Sequence, residues 1–317
     1  MAAGYQKLLA DGELKRMAAS ALKTLESCSL CPRMCRVNRL RNETGYCGSG
    51  RDAMIASYNV HYGEEPPISG TRGSGTIFFS NCTLRCIYCQ NYPISQLGVG
   101  EVVSAQELSR MMLTLQKWGV HNINLVTPTH IVPQIIEAVY LAASEGLSIP
   151  IAYNSSGYET VETLRMLDGI VDIYLPDIKY ATDKFALSFS GVSDYVYHNR
   201  NAIREMFKQV GGLVCSDEGI AKAGLIVRHL VLPGDVAGTE DAFRFIKSFG
   251  SEENCGIFVS LMTQYFPAYR ALGHAVIGRK IVKLEADNAV ELLLRYGLDN
   301  GWVQDEKNAE WNFKICG

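Results

Sequence analysis

The chain has no apolar run approaching the roughly 20 residues that a membrane-spanning helix needs. Charge of one sign is also scarce: 30 Lys and Arg against 33 Asp and Glu leave a net charge of −3. That balance gives no basic footprint for nucleic acid or an acidic membrane surface. The opening Met1-Ala2-Ala3-Gly4-Tyr5-Gln6-Lys7 lacks the basic-then-apolar shape of a secretory signal. No internal repeat or low-complexity linker interrupts the 317 residues, a length that buries one large core or two modest ones. A cytoplasmic protein with neither membrane nor nucleic-acid partners is the expectation.

What the chain does have is cysteine, ten in all. Without an export signal these imply a reducing compartment, where clustered thiols are metal ligands rather than disulfides. Cys82, Cys86 and Cys89 stand at C-x3-C-x2-C spacing directly after the apolar run Thr76-Ile77-Phe78-Phe79. Bounded by Gly73-Ser74-Gly75, that run reads as a buried strand. The cysteines then fall on the loop at its carboxyl end, where barrel enzymes build their active sites. A cubane iron–sulfur cluster usually takes four cysteines. Three close thiolates therefore leave one iron free for a substrate or cofactor. Zinc is the alternative for C-x2-C, but it wants a fourth ligand, and no Cys or His follows until His121.

A second group holds Cys28, Cys31, Cys35 and Cys47 among prolines and glycines with little apolar material. Such a segment needs a staple, and a metal supplies one. Four thiolates close a shell, so this site is structural or an electron relay; zinc and an auxiliary [4Fe–4S] cluster both fit. Arg33, Arg36, Arg39 and Arg41 alongside read as a solvated or cluster-shielding face. Cys215, Cys255 and Cys316 are scattered and read as buried, unreactive thiols.

Helical spacing over 5–26 predicts a helix broken near Asp11-Gly12. The segment from His61 to Gly70 is extended and loop-like, its Glu64 and Glu65 either lining a site or simply exposed. Ser104-Ala105-Gln106-Glu107 is a capping box opening a helix with Leu108, Met111, Met112 and Leu115 on one face. Strands at 76–79, 123–126, 149–153, 171–175, 225–231 and 257–261 alternate with helices, one of them capped by Thr239. Six such alternations mean parallel strands with right-handed crossovers. They are too few to close an eight-stranded barrel; an incomplete barrel and a flat doubly wound sheet both remain. A helix from Glu285 and a tail carrying two tryptophans follow, expected to pack over the barrel. Functional side chains should gather after each strand: Thr127, Thr129 and His130; Asn154 and Ser155; Asp177 and Lys179. Arg228 and His229 face opposite ways, so at most one points into the barrel.

C-x3-C-x-aromatic-C, with Tyr88 as the aromatic, resembles the signature of the radical S-adenosylmethionine (SAM) superfamily. The resemblance implies an α/β fold, an incomplete (β/α)6 TIM-like barrel over 71–283. It would follow a small cysteine-rich metal-binding module in 1–70, with a helix and tail over 284–317. It also implies a [4Fe–4S] cluster whose open iron is chelated by the amino and carboxylate groups of SAM. In that family the reduced cluster cleaves SAM to a 5′-deoxyadenosyl radical, which abstracts a hydrogen atom. An electron donor such as flavodoxin or ferredoxin is then required.

Asp177-Ile178-Lys179 and Arg228 to Gly234 resemble strand ends of the pyruvate formate-lyase activating enzymes. By that resemblance Asp177 and Lys179 reach SAM's ribose or carboxylate, with Asn154, Ser155 and Tyr88 nearby. The Cys-Pro-Arg-x-Cys block, Gly63-Glu64-Glu65-Pro66-Pro67, Val126 to His130 and Leu261 to Pro267 are similar to the PflX-like subgroup of those homologues. One departure matters. Where the activases carry Gly-Gly-Glu-Pro for the SAM amino group, this chain has Thr127-Pro128-Thr129-His130. Either Thr127, Thr129 or His130 takes over, or SAM sits differently. The expected substrate is a protein or peptide, with small-molecule modification competing. A non-enzymatic iron–sulfur or zinc relay or scaffold is the reading from another class.

Overall fold

Apolar strands alternating with amphipathic helices leave a chain few choices beyond a parallel sheet covered by helices. The computed structural model describes residues 3–249 and 256–304, and the backbone of 312–313. Its strands are β1 (Ala53–His61), β2 (Ser74–Phe79), β3 (Glu101–Val103), β4 (Ile123–Val126), β5 (Ile151–Ser155) and β6 (Ile173–Pro176). They continue with β7 (Val214–Cys215), β8 (Ala221–Leu230), β9 (Phe258–Met262), β10 (Gly301–Gln304) and β11 (Asn312–Phe313). One sheet joins them in the order β11-β10-β9-β8-β6-β5-β4-β2-β1-β3, with β7 paired to β8. From β2 through β10 every neighbouring pair on that path is parallel. The fold is α/β with a mostly parallel sheet.

The expected six parallel strands are there, and β10 in the tail adds a further one beside β9. Four residues opening on a glycine carry too little alternation to be read as a strand. The long β1 was also missed, and it pairs antiparallel with β2, Ile55 opposite Phe79 and His61 opposite Ser74. Residues before Gly70 thus contribute to the sheet itself.

The sheet curls. Phe78 on β2 and Met262 on β9 line the same cavity, yet five strand positions separate them. At about 4.8 Å per position a flat sheet would hold them roughly 24 Å apart. A partial barrel accounts for the shared cavity, and a flat doubly wound sheet does not. Inside, Ala152, Ile173, Leu175, Ile226, Phe258 and Trp302 pack into one apolar cluster with Ile68. Ile68 sits on a short helix, Pro66–Ser69, not on the extended loop expected. That helix plugs the barrel below the cavity and places Glu64 and Glu65 in the interior, with only 9% and 0% of their surface exposed.

At the amino end, helices Gly4–Ala10 and Glu13–Lys23 are broken at Gly12, whose φ of 69° suits glycine. They dock through Gly4 N–H to Asp172 Oδ1 (2.8 Å) and Tyr5 OH to the Ile149 carbonyl (2.8 Å). The capping box at Ser104 forms as expected and starts helix Ala105–Lys117. Thr239 is the first residue of its helix, after Gly238, rather than the cap; its hydroxyl meets His229 Nε2 instead (3.1 Å). Cys215 is half-buried and disulfide-bonded, unlike the free buried thiol expected, while Cys255 and Cys316 lie outside the described residues.

Candidate active site

After β2 the chain turns through Asn81 (φ 73°) and Arg85 (φ 57°), both left-handed, each just before a cysteine. Asn tolerates that conformation; Arg85 pays for it in strain, which tends to persist where function fixes the backbone. The loop is tied down by Asn81 N–H to the Ile94 carbonyl (2.9 Å), Ile87 N–H to the Phe189 carbonyl (2.8 Å) and Gln96 Nε2 to the Cys86 carbonyl (2.6 Å). Each cysteine sulfur then meets a donor. Leu84 N–H points at Cys82 Sγ (3.4 Å), Ser190 Oγ at Cys86 Sγ (2.9 Å), and Ser95 Oγ lies 3.2 Å from Cys89 Sγ. Burial pushes the free Cys82 thiol up to about 11, but a coordinating thiol is deprotonated outright. Donors aimed at three sulfurs are what thiolates on an iron–sulfur cluster require, so the residues fit that group.

The three cysteines open on a cavity of about 440 Å³ that also reaches Thr127, Asn154, Ser155, Asp177, Lys179 and Arg228. Lys179 Nζ pairs with Asp177 Oδ2 at 2.6 Å. Burial opposes the lysine's charge, but Asp177 and Cys86 outweigh it and hold the ammonium protonated. Tyr195 OH accepts from Lys179 N–H (2.9 Å) and donates toward the Ser156 and Asp177 carbonyls (3.0 and 3.1 Å), fixing this strand end. Gly157 beside it has φ 70°, and a Cβ there would stand 2.5 Å from the Asp177 carbonyl oxygen. Tyr88 lines the cavity and meets Tyr180 and Tyr265 edge-on (centroids 6.3 and 6.1 Å).

Thr127, at φ 61° a strained β-branched residue, is brought to the cavity. Thr129 and His130 are not. Thr129 Oγ1 donates to buried Glu159 (2.6 Å), and His130 Nε2 meets the Ser80 carbonyl (2.9 Å). Both serve the scaffold behind the cluster loop. Arg228 is the inward member of its pair, and His229 is buried on the outer face against the Ile178 carbonyl (2.9 Å). Tyr180, Tyr265 and Ser190 and the pairing of Arg228 with Glu64 and Glu65 were not legible, since each joins segments far apart in the chain, and Ser95, six residues from Cys89, carries no signal of its own.

Cys28, Cys31, Cys35 and Cys47 line one small cavity of about 10 Å³ with Arg33, Arg39 and His130. Tyr46 N–H points at Cys35 Sγ (3.4 Å). Of the two faces expected for the arginines, solvated or cluster-shielding, Arg39 is not on the solvated one: 1% exposed, it donates to the Gly50 carbonyl (2.9 Å) and the His130 carbonyl (2.5 Å), with Cys28 Sγ at 3.8 Å. Among the described residues, no three His, Cys, Asp or Glu side chains gather as a single metal ion would need.

Four buried titrating groups around this scaffold set a pH dependence. Burial raises Glu159 to about 7 and Asp172 to about 6, and lowers His130 and His229 to about 4. Between about pH 4.5 and 7 the folded chain keeps a Glu159 proton that the unfolded chain has lost, so this contribution falls as pH rises. The histidines act oppositely: from about pH 4 to 6.5 only the unfolded chain holds their protons, so stability rises with pH. The opposing slopes leave a shallow profile. In Glu159→Gln its falling contribution is gone and only that of Asp172 remains, so stability should climb more steeply between pH 4.5 and 6.5, by up to about 1.4 kcal/mol per pH unit. Urea unfolding at pH 5 and 6.5, wild type beside variant, measures this; equal slopes would contradict it.

Three thiols with hydrogen-bonding neighbours at a strand end, opening on a cavity that polar strand-end residues reach, fit a three-thiolate iron–sulfur site with room for a cofactor. The family described as "Radical SAM superfamily" matches residues 76–246, and the chain belongs to it. Membership implies a [4Fe–4S] cluster and SAM. Over 289 residues the chain is 29% identical to an uncharacterized protein of Methanocaldococcus jannaschii, covering 88% of this chain and 78% of that one. Over 107 residues it is 34% identical to an alpha,alpha-trehalose-phosphate synthase (UDP-forming) of Caenorhabditis elegans, 33% of this chain and 8% of that protein. Among solved structures, methylornithine synthase aligns with a TM-score of 0.46 at 12% identity, over 94% of this chain and 73% of that one. Among the described residues no helix is long and apolar enough to cross a membrane.

Proposed function

We propose that this radical SAM enzyme abstracts hydrogen from a protein or peptide, in the manner of the pyruvate formate-lyase activating enzymes. The single observation carrying the chemistry is the opening of Cys82, Cys86 and Cys89 together onto the barrel cavity. Cys82, Cys86 and Cys89 would hold the [4Fe–4S] cluster, which when bound would supply the electron for reductive cleavage of SAM and so the means of hydrogen-atom abstraction. The chain's own work is to bind and orient. Asp177 offers a carboxylate to the ribose hydroxyls, Lys179 an ammonium to the SAM carboxylate, and Asn154, Ser155 and Thr127 neutral polar atoms beside them. The buried tyrosines close one wall against water, which a reactive radical requires. The Asp-x-Lys and Pro-Gly strand ends, which resemble those of the activating enzymes, support the peptide substrate, and a flavodoxin or ferredoxin would supply the electron.

The test is anaerobic. SAM should alter the electron paramagnetic resonance spectrum of the reduced protein, and 5′-deoxyadenosine should form. Cys82→Ala should lose both, and a variant that retains cleavage sinks the reading. Deuterium passing from a labelled peptide into 5′-deoxyadenosine would assign the substrate class.

We further infer that Cys28, Cys31, Cys35 and Cys47 hold an anionic metal–thiolate centre, zinc or an auxiliary [4Fe–4S]. Arg39 supports this. It is buried beside Cys28 with no carboxylate partner among the described residues and with its Nη2 unsatisfied. A buried cation needs a counter-charge. Burial raises the free Cys31 thiol, whereas metal-bound thiolates are deprotonated outright and would supply the counter-charge. Iron, sulfide and zinc analysis of wild type against Cys28→Ala decides between the two metals.

A further inference from the structure

The floor of the cavity carries a buried excess of negative charge that neither the cluster ligands nor the Asp177–Lys179 pair explains. Arg228 is shared between two carboxylates: its Nη2 lies 3.2 Å from Glu64 Oε2 and its Nε 2.8 Å from Glu65 Oε1. The Glu65 contact is an ion pair without hydrogen-bond alignment, since neither Glu65 oxygen nor Arg228 Nε meets bonding geometry. One guanidinium between two carboxylates leaves one negative charge over. Glu64 lines the cavity, with 6% of its side chain exposed. Its one well-aligned hydrogen bond among the described residues comes from Arg228 Nη2 to Oε2. Asn124 stands close enough to favour the ionised Glu64, yet both atoms of its buried amide lack a well-aligned partner. His61 is the remaining titratable group nearby, on the cavity wall.

We propose that Glu64, backed by Glu65, Arg228 and Asn124, is a subsite for a protonated amine on the substrate. A buried, half-satisfied carboxylate is costly unless a proton or a cation completes it. Burial holds the Glu64 carboxyl above its usual range while Arg228 opposes that shift, so a further cation beside it would favour the ionised form. Arg228 keeps Glu64 in place and repels a second guanidinium or any cation approaching off-axis. An ammonium on a flexible stem, as on a lysine side chain, suits a single cavity-facing carboxylate already held by one guanidinium better than a second planar fork does. This deepens the reading under Proposed function and rests on it. SAM's own ammonium is the other source of the same chemistry.

The test uses the reconstituted full-length protein with SAM, and Nα-acetyl-lysine amide against its neutral analogue Nα-acetyl-norleucine amide. Binding is read by equilibrium dialysis and by the spectrum of the SAM-bound reduced cluster. The lysine probe should bind roughly 10–100-fold tighter, as a charge-assisted hydrogen bond provides, and Glu64→Gln should abolish the preference. Equal binding of the two probes, or no binding of the amine, overturns the proposal on wild type alone, whatever the variant's folding. Glu64→Gln weakening SAM itself while wild type shows no amine preference assigns the carboxylate to SAM and also overturns it. A wild type whose cluster ignores SAM defeats the underlying enzyme reading instead, so the two failures are distinguishable.

Discussion

If the proposed amino-terminal metal site is right, a Cys31→Ala chain is expected to lose its metal, about 3–5 kcal/mol of stability, and much of the iron assigned to Cys82, Cys86 and Cys89. The stability loss comes from Arg39. With the thiolate centre gone, its guanidinium stays 99% enclosed, held by the Gly50 and His130 carbonyls and faced by no charge of opposite sign. The loss of distant iron follows from where those contacts lead. His130 joins Arg39 to the Ser80 carbonyl, two residues before Cys82, so disorder at Arg39 reaches the loop that must present three sulfurs together. Arg39→Met separates the effects. It removes the buried charge with little change of volume, so in that background Cys31→Ala should cost clearly less than in wild type, a non-additivity that a double-mutant cycle reads directly. Melting curves and iron counts on the four proteins check it. Additive costs would mean that Arg39 and the thiols do not share an electrostatic account.

Legibility in the sequence followed the range over which each interaction acts. The cysteine triad was readable because one loop carries its ligands and the strand that positions them. The parallel strands were readable because buried β-rich runs and capped helices are local patterns: Ser104 and Glu107 satisfy each other within one helical turn. The interior of the barrel was not readable. Glu64 and Arg228 are 164 residues apart, and nothing near Glu64 says that Ile68 will turn into the barrel and carry two carboxylates with it. Gly-Glu-Glu-Pro-Pro is polar and proline-rich, the composition of an exposed linker, and the plug overrides it because Ile68 finds an apolar layer inside the sheet. Thr129 and His130 failed in the opposite sense. A strand end is a good place to look for ligands, but the short helical turn Thr129–Ile131 rotates both side chains away, toward Glu159 and Ser80. Only Thr127, ahead of that turn, stays on the cavity.

Arg33 carries the other large expectation, because it joins the two cysteine groups directly. Its Nε donates to the Thr83 carbonyl at 3.1 Å, between Cys82 and Cys86 in the loop. Its Nη1 and Nη2 donate to the Gly191 and Ser190 carbonyls at 2.8 and 3.1 Å. The guanidinium lies 3.7 Å from the Tyr46 ring centroid, next to Cys47. Ser190 in turn gives its hydroxyl to Cys86 Sγ. One planar fork thus fixes the backbone of a cluster ligand's loop and the residue that hydrogen-bonds the ligand itself. Arg33→Met should leave four irons per triad after reconstitution, yet slow SAM cleavage roughly 10–100-fold, the usual cost of removing support behind a metal ligand. A sulfur that loses a donor also holds its cluster's electron less favourably, so the midpoint potential should move to a more negative value. Arg33→Lys should not rescue either property, since a single ammonium cannot span three carbonyls in a plane. If the potential and the cleavage rate both stay at wild-type values, Arg33 only fills space, and the amino-terminal cysteines have no mechanical hold on the chemistry at the barrel mouth.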